Sequence, residues 1–204
     1  MIAHLNWKYG QLKSESGALP ASKGRGFTLI ELMLVVAILA ILLAIGVPNL
    51  MNLMIKSRLS GQVQEFYGTI SFARSEAIKR AKPVSICKIS SSFNIDSPSC
   101  GGSWSTGWMV FVGDKDTSTI TKSDVLRVFP PLSTNYTLNV NITNFATYIT
   151  YNRLGMVENT GVGGTFVFCA NSDETRARAI TVTKTRPRIV PSTETISITS
   201  CESP

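Results

Sequence analysis

Histidine is nearly absent from the 204-residue sequence: the only one is His4, close to the N-terminus. Serine–histidine–aspartate catalysis, cysteine–histidine catalysis and histidine-containing zinc sites all require an imidazole. If the N-terminal residues are removed, the remaining chain has none. The sequence also lacks a glycine-rich phosphate loop and a recognisable motif of paired carboxylates. We therefore expect no catalytic residue, no metal site and no cofactor.

Charged residues are missing from a long stretch near the N-terminus. From Phe27 to Val47 there are 21 residues, and Glu31 is the only charged one. A helix of this length extends about 30 Å, roughly the thickness of the hydrocarbon core of a bilayer. The stretch therefore predicts a single membrane-spanning helix. Because a carboxylate is costly inside a membrane, Glu31 is expected to have a functional partner.

The segments on either side of this stretch differ in charge. Residues 1–26 carry four basic and one acidic side chain, a net charge of +3, and the remainder carries 16 basic and 12 acidic ones, or +4. Positive charge before a membrane helix keeps that side in the cytoplasm, so we expect the C-terminal part to be exported. The remaining length suits one globular domain.

The four cysteines all follow the apolar stretch, and none belongs to a Cys-x-x-Cys pair. This spacing argues against zinc and thioredoxin-like chemistry and favours two disulfides in an oxidising compartment. Three pairings are possible. We favour Cys87–Cys100, which closes a short loop rich in serine, and Cys169–Cys201, which ties the C-terminal tail to the domain.

Beyond the apolar stretch the hydrophobic pattern becomes that of an amphipathic helix. Gly46 and Pro48 are expected to end or kink the first half of the helix. Apolar residues then recur at steps of four and three, which predicts one buried stripe on a helix that ends near Lys82, before Pro83. The stripe consists of Leu59, Val63, Phe66, Ile70, Ala73 and Ala77.

After Pro83 the hydrophobic period falls to two, which predicts β-strands separated by turn residues. A long N-terminal helix packed against an antiparallel sheet is an α+β architecture. The predicted strands are Val84–Ile89, Trp108–Val112, Val125–Phe129, Tyr136–Ile142, Tyr148–Tyr151, Thr165–Ala170, Arg178–Thr183 and Thr195–Thr199.

The segment from Gly26 to Leu32, Gly-Phe-Thr-Leu-Ile-Glu-Leu, resembles the processing site of type IV pilins and type II secretion pseudopilins. The resemblance implies that prepilin peptidase cuts after Gly26 and that Phe27 becomes the N-methylated terminus. It also implies that Glu31 pairs with the terminal amine of a neighbouring subunit during assembly. The alternative is an ordinary signal anchor that happens to contain a glutamate.

Later motifs are similar to the GspH/FimT family of minor pilins and pseudopilins. The similar motifs are Ala73–Arg80, Pro83-Val84, Cys87, Trp104, Gly107–Phe111, Leu126-Arg127, Gly155, Thr165-Phe166, Cys169 and Arg186-x-Arg188. The implied fold is pilin-like. We expect a leader at residues 1–26, a transmembrane and assembly half of the helix at 27–47, an amphipathic half at 48–82 and a β-rich domain at 83–204.

This resemblance implies a non-catalytic subunit that is held in the inner membrane by one span and then assembled into a pilus-like filament. Its expected partners are prepilin peptidase, the inner membrane and other pilin or pseudopilin subunits. The alternative function is that of a type II secretion pseudopilin, which acts in protein export rather than in a pilus.

Two further groups of residues suggest binding sites, but each has a simpler explanation. Trp104 and Trp108 could form a binding platform, although indoles in a small β domain more often belong to its core. Asp114, Asp116 and Asp124 could ligate calcium, although Asp-x-Asp is common in solvated turns. We favour the structural interpretation for both groups.

A basic cluster near the C-terminus is the candidate site for a partner. Pro187 cannot donate to a β-ladder, so its segment should form an edge strand or a hairpin tip. Exposed arginines there offer forked donors to phosphates, although they could also serve only solubility or edge protection. The cluster consists of Arg176, Arg178, Lys184, Arg186 and Arg188.

The FimT branch adds a specific expectation for this cluster. In that branch a Gly-Arg-x-Arg element is implicated in DNA binding during natural transformation. Both arginines are present here as Arg186 and Arg188, but Thr185 stands in place of the glycine. The resemblance therefore implies double-stranded DNA as a further partner.

Overall fold

The computed structural model describes residues 26–114, 117, 119–140, 145–158, 163–171, 173–190 and 201, with the side chains of 174 and 175 excepted. The chain divides into two compact units, Met1–Gly46 and Val47–Pro204. A single long helix, α1 (Leu29–Arg80), supplies residues to both, and all the strands belong to the second unit.

Helix α1 begins with a side-chain cap and ends with a left-handed residue. The Oγ1 of Thr28 accepts a hydrogen bond from the N–H of Glu31 at 3.3 Å, which satisfies a donor that has no partner within the helix. The helix continues through Pro48, so it does not end at Gly46 or at Pro48. It ends at Arg80, two residues before the expected end, because Ala81 adopts a φ of 52°.

In the first unit, every described residue is exposed. Its large apolar side chains between Phe27 and Ile45 are 50–82% exposed, and they occur on all sides of the helix. A helix that is apolar all round suits a membrane or the interior of an assembly. By length and composition alone, α1 is able to cross a membrane.

The second unit contains two four-stranded antiparallel sheets. The first has the order β3-β2-β1-β5, and the second has the order β4-β6-β7-β8. The strands are β1 (Val84–Lys88), β2 (Trp108–Val112), β3 (Val125–Phe129), β4 (Tyr136–Val140), β5 (Tyr148–Tyr151), β6 (Gly164–Ala170), β7 (Asp173–Val182) and β8 (Pro187–Val190).

The core of this unit forms where the predicted stripe of α1 meets both sheets. All six stripe residues are buried together with side chains from β1, β2, β4, β5, β6 and β7. Phe66 lies at the centre, with its ring centroid 5.0 Å from that of Trp108 and 4.8 Å from that of Phe166. Such aromatic pairs add to the energy of area burial.

Both tryptophans named in the sequence analysis belong to this core. Trp104 is 4% exposed and its indole N–H donates to the carbonyl of Phe145 at 3.1 Å. Trp108 is fully buried and its indole N–H donates to the Oγ1 of Thr69 at 3.3 Å. Since each ring is buried and each donor is satisfied, the indoles do not form a surface platform.

The predicted strands agree with β1 to β6 within a residue or two where the chain is described. The strand predicted at Arg178–Thr183 starts too late, since β7 begins at Asp173. Strand β8 lies at the edge of the second sheet, which agrees with the edge strand or hairpin tip expected around Pro187, although the apolar alternation gave no bounds for it. The strand predicted at Thr195–Thr199 lies outside the described residues.

Two disulfides join distant parts of the second unit. Cys87 in β1 is bonded to Cys100, and Cys169 in β6 is bonded to Cys201, each with a Cα–Cα distance of 5.7 Å. The second bond fixes Cys201 in a small cluster on the face of the second sheet that lies opposite the main core. Since it closes the longer loop, it restricts the unfolded chain more.

Replacement of Phe66 by alanine should lower the free energy of unfolding by about 3–5 kcal/mol, because the lost ring leaves a cavity among four aromatic side chains. Denaturant unfolding of the full chain in a neutral detergent, followed by tryptophan fluorescence, measures this. The control is Leu154→Ala at a residue 64% exposed, which should change stability by less than about 0.5 kcal/mol. Equal stability of both variants would contradict the central role of Phe66.

Candidate functional site

The N-terminal segment of the described chain is accessible. Gly26, Phe27 and Thr28 precede α1, have no helical or strand structure, and are exposed, Phe27 by 82%. No other group lies within 4 Å of the position that a Cβ at Gly26 would occupy. An exposed segment without regular structure beside a helix start is suited to entering the active site of a peptidase.

Glu31 lies in the first turn of α1, three residues after the capping Thr28. Its carboxylate is exposed, and among the described residues it has no hydrogen-bond or ion-pair partner. The N-terminal end of a helix favours negative charge, so this position tolerates the carboxylate. The described end of the helix does not supply it with a hydrogen-bond or ion-pair partner. The side chain is thus available to a cation from another molecule.

The basic cluster lies on the β7–β8 hairpin, and β8 forms an edge of the second sheet. At the tip, the Oγ1 of Thr183 donates to the carbonyl of Arg186 at 2.8 Å. The carbonyl of Lys184 accepts a hydrogen bond from the N–H of Val157 at 2.9 Å, which ties the tip to the segment after β5. Lys184, Thr185 and Arg186 are exposed on this braced turn.

Thr185 occupies the place of the glycine in the element that suggested DNA binding. Among the residues that the structure describes, Ala81 and Asn171 are the non-glycine residues with a positive φ. Thr185 therefore adopts a backbone conformation open to any L-residue. The hairpin places Arg186 and Arg188 without needing a glycine between Lys184 and Arg186.

The five basic residues do not share one face of the sheet. Arg178 lies opposite Phe168, whose ring belongs to the main core, whereas Arg188 lies opposite Thr181. Since Arg178 and Thr181 are three residues apart on one strand, Arg178 and Arg188 belong to opposite faces. Arg176 forms an ion pair with Asp173 at 2.9 Å. The exposed cations at the tip and edge are Lys184, Arg186 and Arg188.

Two grooves adjoin the hairpin. The helix-side groove has a volume of about 480 Å³ and lies between Tyr67, Ser71, Arg74 and Ser75 of α1 and Arg186 and Pro187 of the hairpin. The strand-side groove has a volume of about 730 Å³ and is lined by Tyr67, Thr183, Thr185, Arg186, Pro187 and Arg188. Tyr67, Arg186 and Pro187 belong to both.

Arg74 is a residue of this site that the sequence analysis treated only as part of a family motif. It is half-buried, and its Nε has no acceptor among the described residues. A Cβ at Gly155 would lie 3.2 Å from this Nε and 2.6 Å from the Cδ1 of Ile78. In the sequence, only the glycine at position 155 pointed to this contact. Its φ of 71° suits glycine, and the absence of a Cβ lets the turn approach Arg74 closely.

Tyr151 lies near Arg74 in the core. Burial raises the pKa of the Tyr151 phenol, and the positive charge of Arg74 opposes that rise. The phenol is therefore neutral over the physiological range. It contributes a packing surface near Arg74 and no counter-charge.

Two of the aspartates considered for calcium, Asp114 and Asp124, accept hydrogen bonds within turns. Asp114 accepts from the Oγ1 of Thr117 at 3.2 Å, and Asp124 accepts from the N–H of Thr121 at 2.9 Å. Hydrogen bonds from Thr121 lower the pKa of the Asp124 carboxyl. Asp116 lies outside the described residues. These contacts are those of solvated turns.

Comparison with known families gives two matches. The family described as "Type II transport protein GspH" matches residues 62–185, more than half of the chain. The description "Prokaryotic N-terminal methylation motif" matches residues 21–47. The first match includes Arg74 and Gly155, and the second includes Gly26, Phe27 and Glu31.

Individual proteins give shorter or more distant similarities. The prepilin peptidase-dependent protein D of Escherichia coli K12 is 54% identical over 44 residues, which cover 22% of this chain and 30% of that protein. The crystal structure of the type IV minor pilin FimU of Pseudomonas aeruginosa PAO1 superposes with a TM-score of 0.55 at 19% identity. The superposition covers 72% of this chain and 96% of the FimU chain. The fold is therefore pilin-like.

Gly155→Ala should lower the free energy of unfolding by about 1–3 kcal/mol, because alanine disfavours the positive φ and its Cβ meets Ile78. Thermal unfolding of the full chain measures the change. The control is Gly68→Ala on an exposed position of α1 with no neighbour near its Cβ, where stability should rise by up to about 1 kcal/mol. If Gly155→Ala left the free energy of unfolding unchanged, the close packing of this turn on α1 would be refuted.

Proposed function

The chain belongs to the GspH family of type II transport proteins, and from this premise we propose that it is a non-catalytic minor pilin or pseudopilin, a subunit of a pilus-like filament. The observation that carries the proposal is the exposed apolar half of α1, which begins three residues after Gly26 and contains one carboxylate, Glu31, without a partner among the described residues. Before assembly this half is held in the inner membrane, and the β-rich domain, residues 83–204, lies in the periplasm.

The exposed apolar half of α1 requires a non-aqueous environment. Fourteen large apolar side chains between Phe27 and Ile45 are at least half exposed. Burying each contributes about 1.5–3 kcal/mol, so together they favour transfer from water by roughly tens of kcal/mol. Lipid provides that environment for the single subunit, and the helices of neighbouring subunits provide it in the filament.

Processing creates the cation that Glu31 needs. Prepilin peptidase cuts after Gly26, and the amine of Phe27 becomes a methylated, positively charged terminus. An isolated carboxylate in an apolar environment is strongly disfavoured, whereas a carboxylate paired with an amine is tolerated. Pairing between Glu31 and the terminus of a neighbouring subunit therefore favours insertion into the filament at the correct axial position.

Glu31→Ala should leave membrane insertion intact and deplete the subunit from filaments at least tenfold, because the neighbouring amine then lacks a counter-charge. Quantitative immunoblots of membranes and of sheared filaments measure both. Glu65→Ala, which removes an exposed carboxylate further along the same helix, is the matched control and should assemble normally. Normal incorporation of the Glu31 variant into filaments would contradict the assembly role of Glu31.

A second function is favoured by the hairpin: binding of double-stranded DNA through Lys184, Arg186 and Arg188. Their exposure on a braced tip and edge strand allows a long polyanion to reach all three. Forked guanidinium donors suit phosphate oxygens, and release of counterions drives such contacts. Arg176 and Arg178 contribute at most to the surrounding field, since Arg176 is paired with Asp173 and Arg178 lies on the core-facing side.

The Arg186→Gln/Arg188→Gln variant should bind duplex DNA more weakly, with a slope of log affinity against log salt that is smaller by about 2. Fluorescence anisotropy of the full chain in a neutral detergent, at several salt concentrations, measures the slope. Lys122→Gln, which removes an exposed cation that is paired with Asp96, is the control. A salt slope equal to that of the control would show that these arginines take no part in DNA binding.

The alternative function is that of a type II secretion pseudopilin, and the family description favours it. Such a subunit would use the same anchor, cleavage and Glu31 contact, and it would recognise exported proteins instead of DNA. Flanking genes for a secretion system, together with loss of export but not of pili on deletion, would favour this alternative.

A further inference from the structure

The helix-side and strand-side grooves form one track around the base of the hairpin, because they share Tyr67, Arg186 and Pro187. Arg74 lines the first groove, Arg188 lines the second, and Arg186 lines both. No acidic side chain lines either groove in the described part of the chain. The track is thus positively charged along its length, and hydroxyl groups of serine and threonine accompany the arginines.

Arg74 is half-buried before any ligand arrives. Its stem packs beside Gly155, Tyr151 lies nearby in the core, and its Nε is buried without an acceptor among the described residues. A buried donor without a partner is costly, and an acceptor from a ligand or from solvent removes that cost. A half-buried side chain has less rotamer freedom to lose on binding than an exposed one.

We propose that Arg74 of α1 and Arg186 of the hairpin hold the same phosphate of a DNA strand, which then continues along the strand-side groove past Arg188. This inference rests on the DNA-binding function proposed above and extends its site from the hairpin to the helix. A phosphodiester has acceptor oxygens for two guanidinium forks at once. Tyr67, where the grooves meet, offers aromatic surface to the adjoining sugar.

The extended shape of the track favours a polymer over a single small anion. A lone anion would occupy the helix-side groove and leave the strand-side groove, with Arg188, unused. A nucleic acid strand places a negative charge at each nucleotide and so uses both grooves. The helix half of the site also explains how a hairpin with few exposed cations would hold DNA at physiological salt.

The test measures DNA binding by the full chain in a neutral detergent, with a fluorescently labelled duplex at several salt concentrations. Arg74→Gln should weaken binding about tenfold and lower the salt slope by about 1. The matched control is Arg58→Gln, which removes an exposed cation about 24 Å away along the same helix and should leave the slope unchanged. Arg74→Lys retains the charge but removes the guanidinium fork, so it should keep the slope and still weaken binding, and this loss of affinity decides the matter if Arg74→Gln fails to fold.

The variant Arg74→Gln/Arg186→Gln tests whether the two residues share a phosphate. If they do, its loss of affinity should be smaller than the product of the two single losses. Losses that multiply would show separate phosphates and overturn the shared contact. If Arg74→Gln and Arg58→Gln behave alike while Arg186→Gln/Arg188→Gln still weakens binding, the helix-side extension is wrong and the hairpin site stands. If the unmodified chain binds no DNA, both proposals fall.

Discussion

Burial of one stripe of α1 against two sheets is the constraint on which the second unit depends. The helix supplies Phe66 to the centre of the aromatic cluster, and residues of β2 and β6 surround it. Neither sheet has another long element to cover its inner face among the described residues. Because the same stripe fixes the rotation of α1, it also decides which side chains point outward, and Tyr67 and Arg74 become the wall of a groove.

The fold could be predicted from sequence where local pattern and tertiary environment agree. The stripe from Leu59 to Ala77 and the alternation in β4 each give a single period, so the elements follow from the residues. The division into two sheets was not predicted, because alternation identifies strands and not their partners. Pro187 predicted an edge strand or a hairpin tip for the segment of β8, but the bounds of β8 and its pairing with β7 result from the turn at residues 183–186 and not from an apolar pattern.

The candidate sites also differ in how far the sequence alone could predict them. The segment from Gly26 to Glu31 is contiguous, and its chemistry can be read from neighbouring residues. The groove is made of residues 112 positions apart in the chain, Arg74 and Arg186, and only the packing of the hairpin beside α1 brings them together. The converse holds for Arg178, which is close to Arg188 in sequence but lies on the other face of the sheet. Proximity along a strand does not predict a shared surface, because the side chains alternate.

The backbone of the hairpin tip has a consequence for how proteins of this family diverge. No residue from Lys184 to Arg186 adopts a left-handed conformation, so any of them can be exchanged for another L-residue without conformational strain. The tip is braced by main-chain bonds, including the one from Val157 to Lys184, which do not depend on side-chain identity. Its charge can therefore drift between basic, neutral and acidic while the scaffold stays constant, and one subunit architecture can acquire different ligands by point substitution alone.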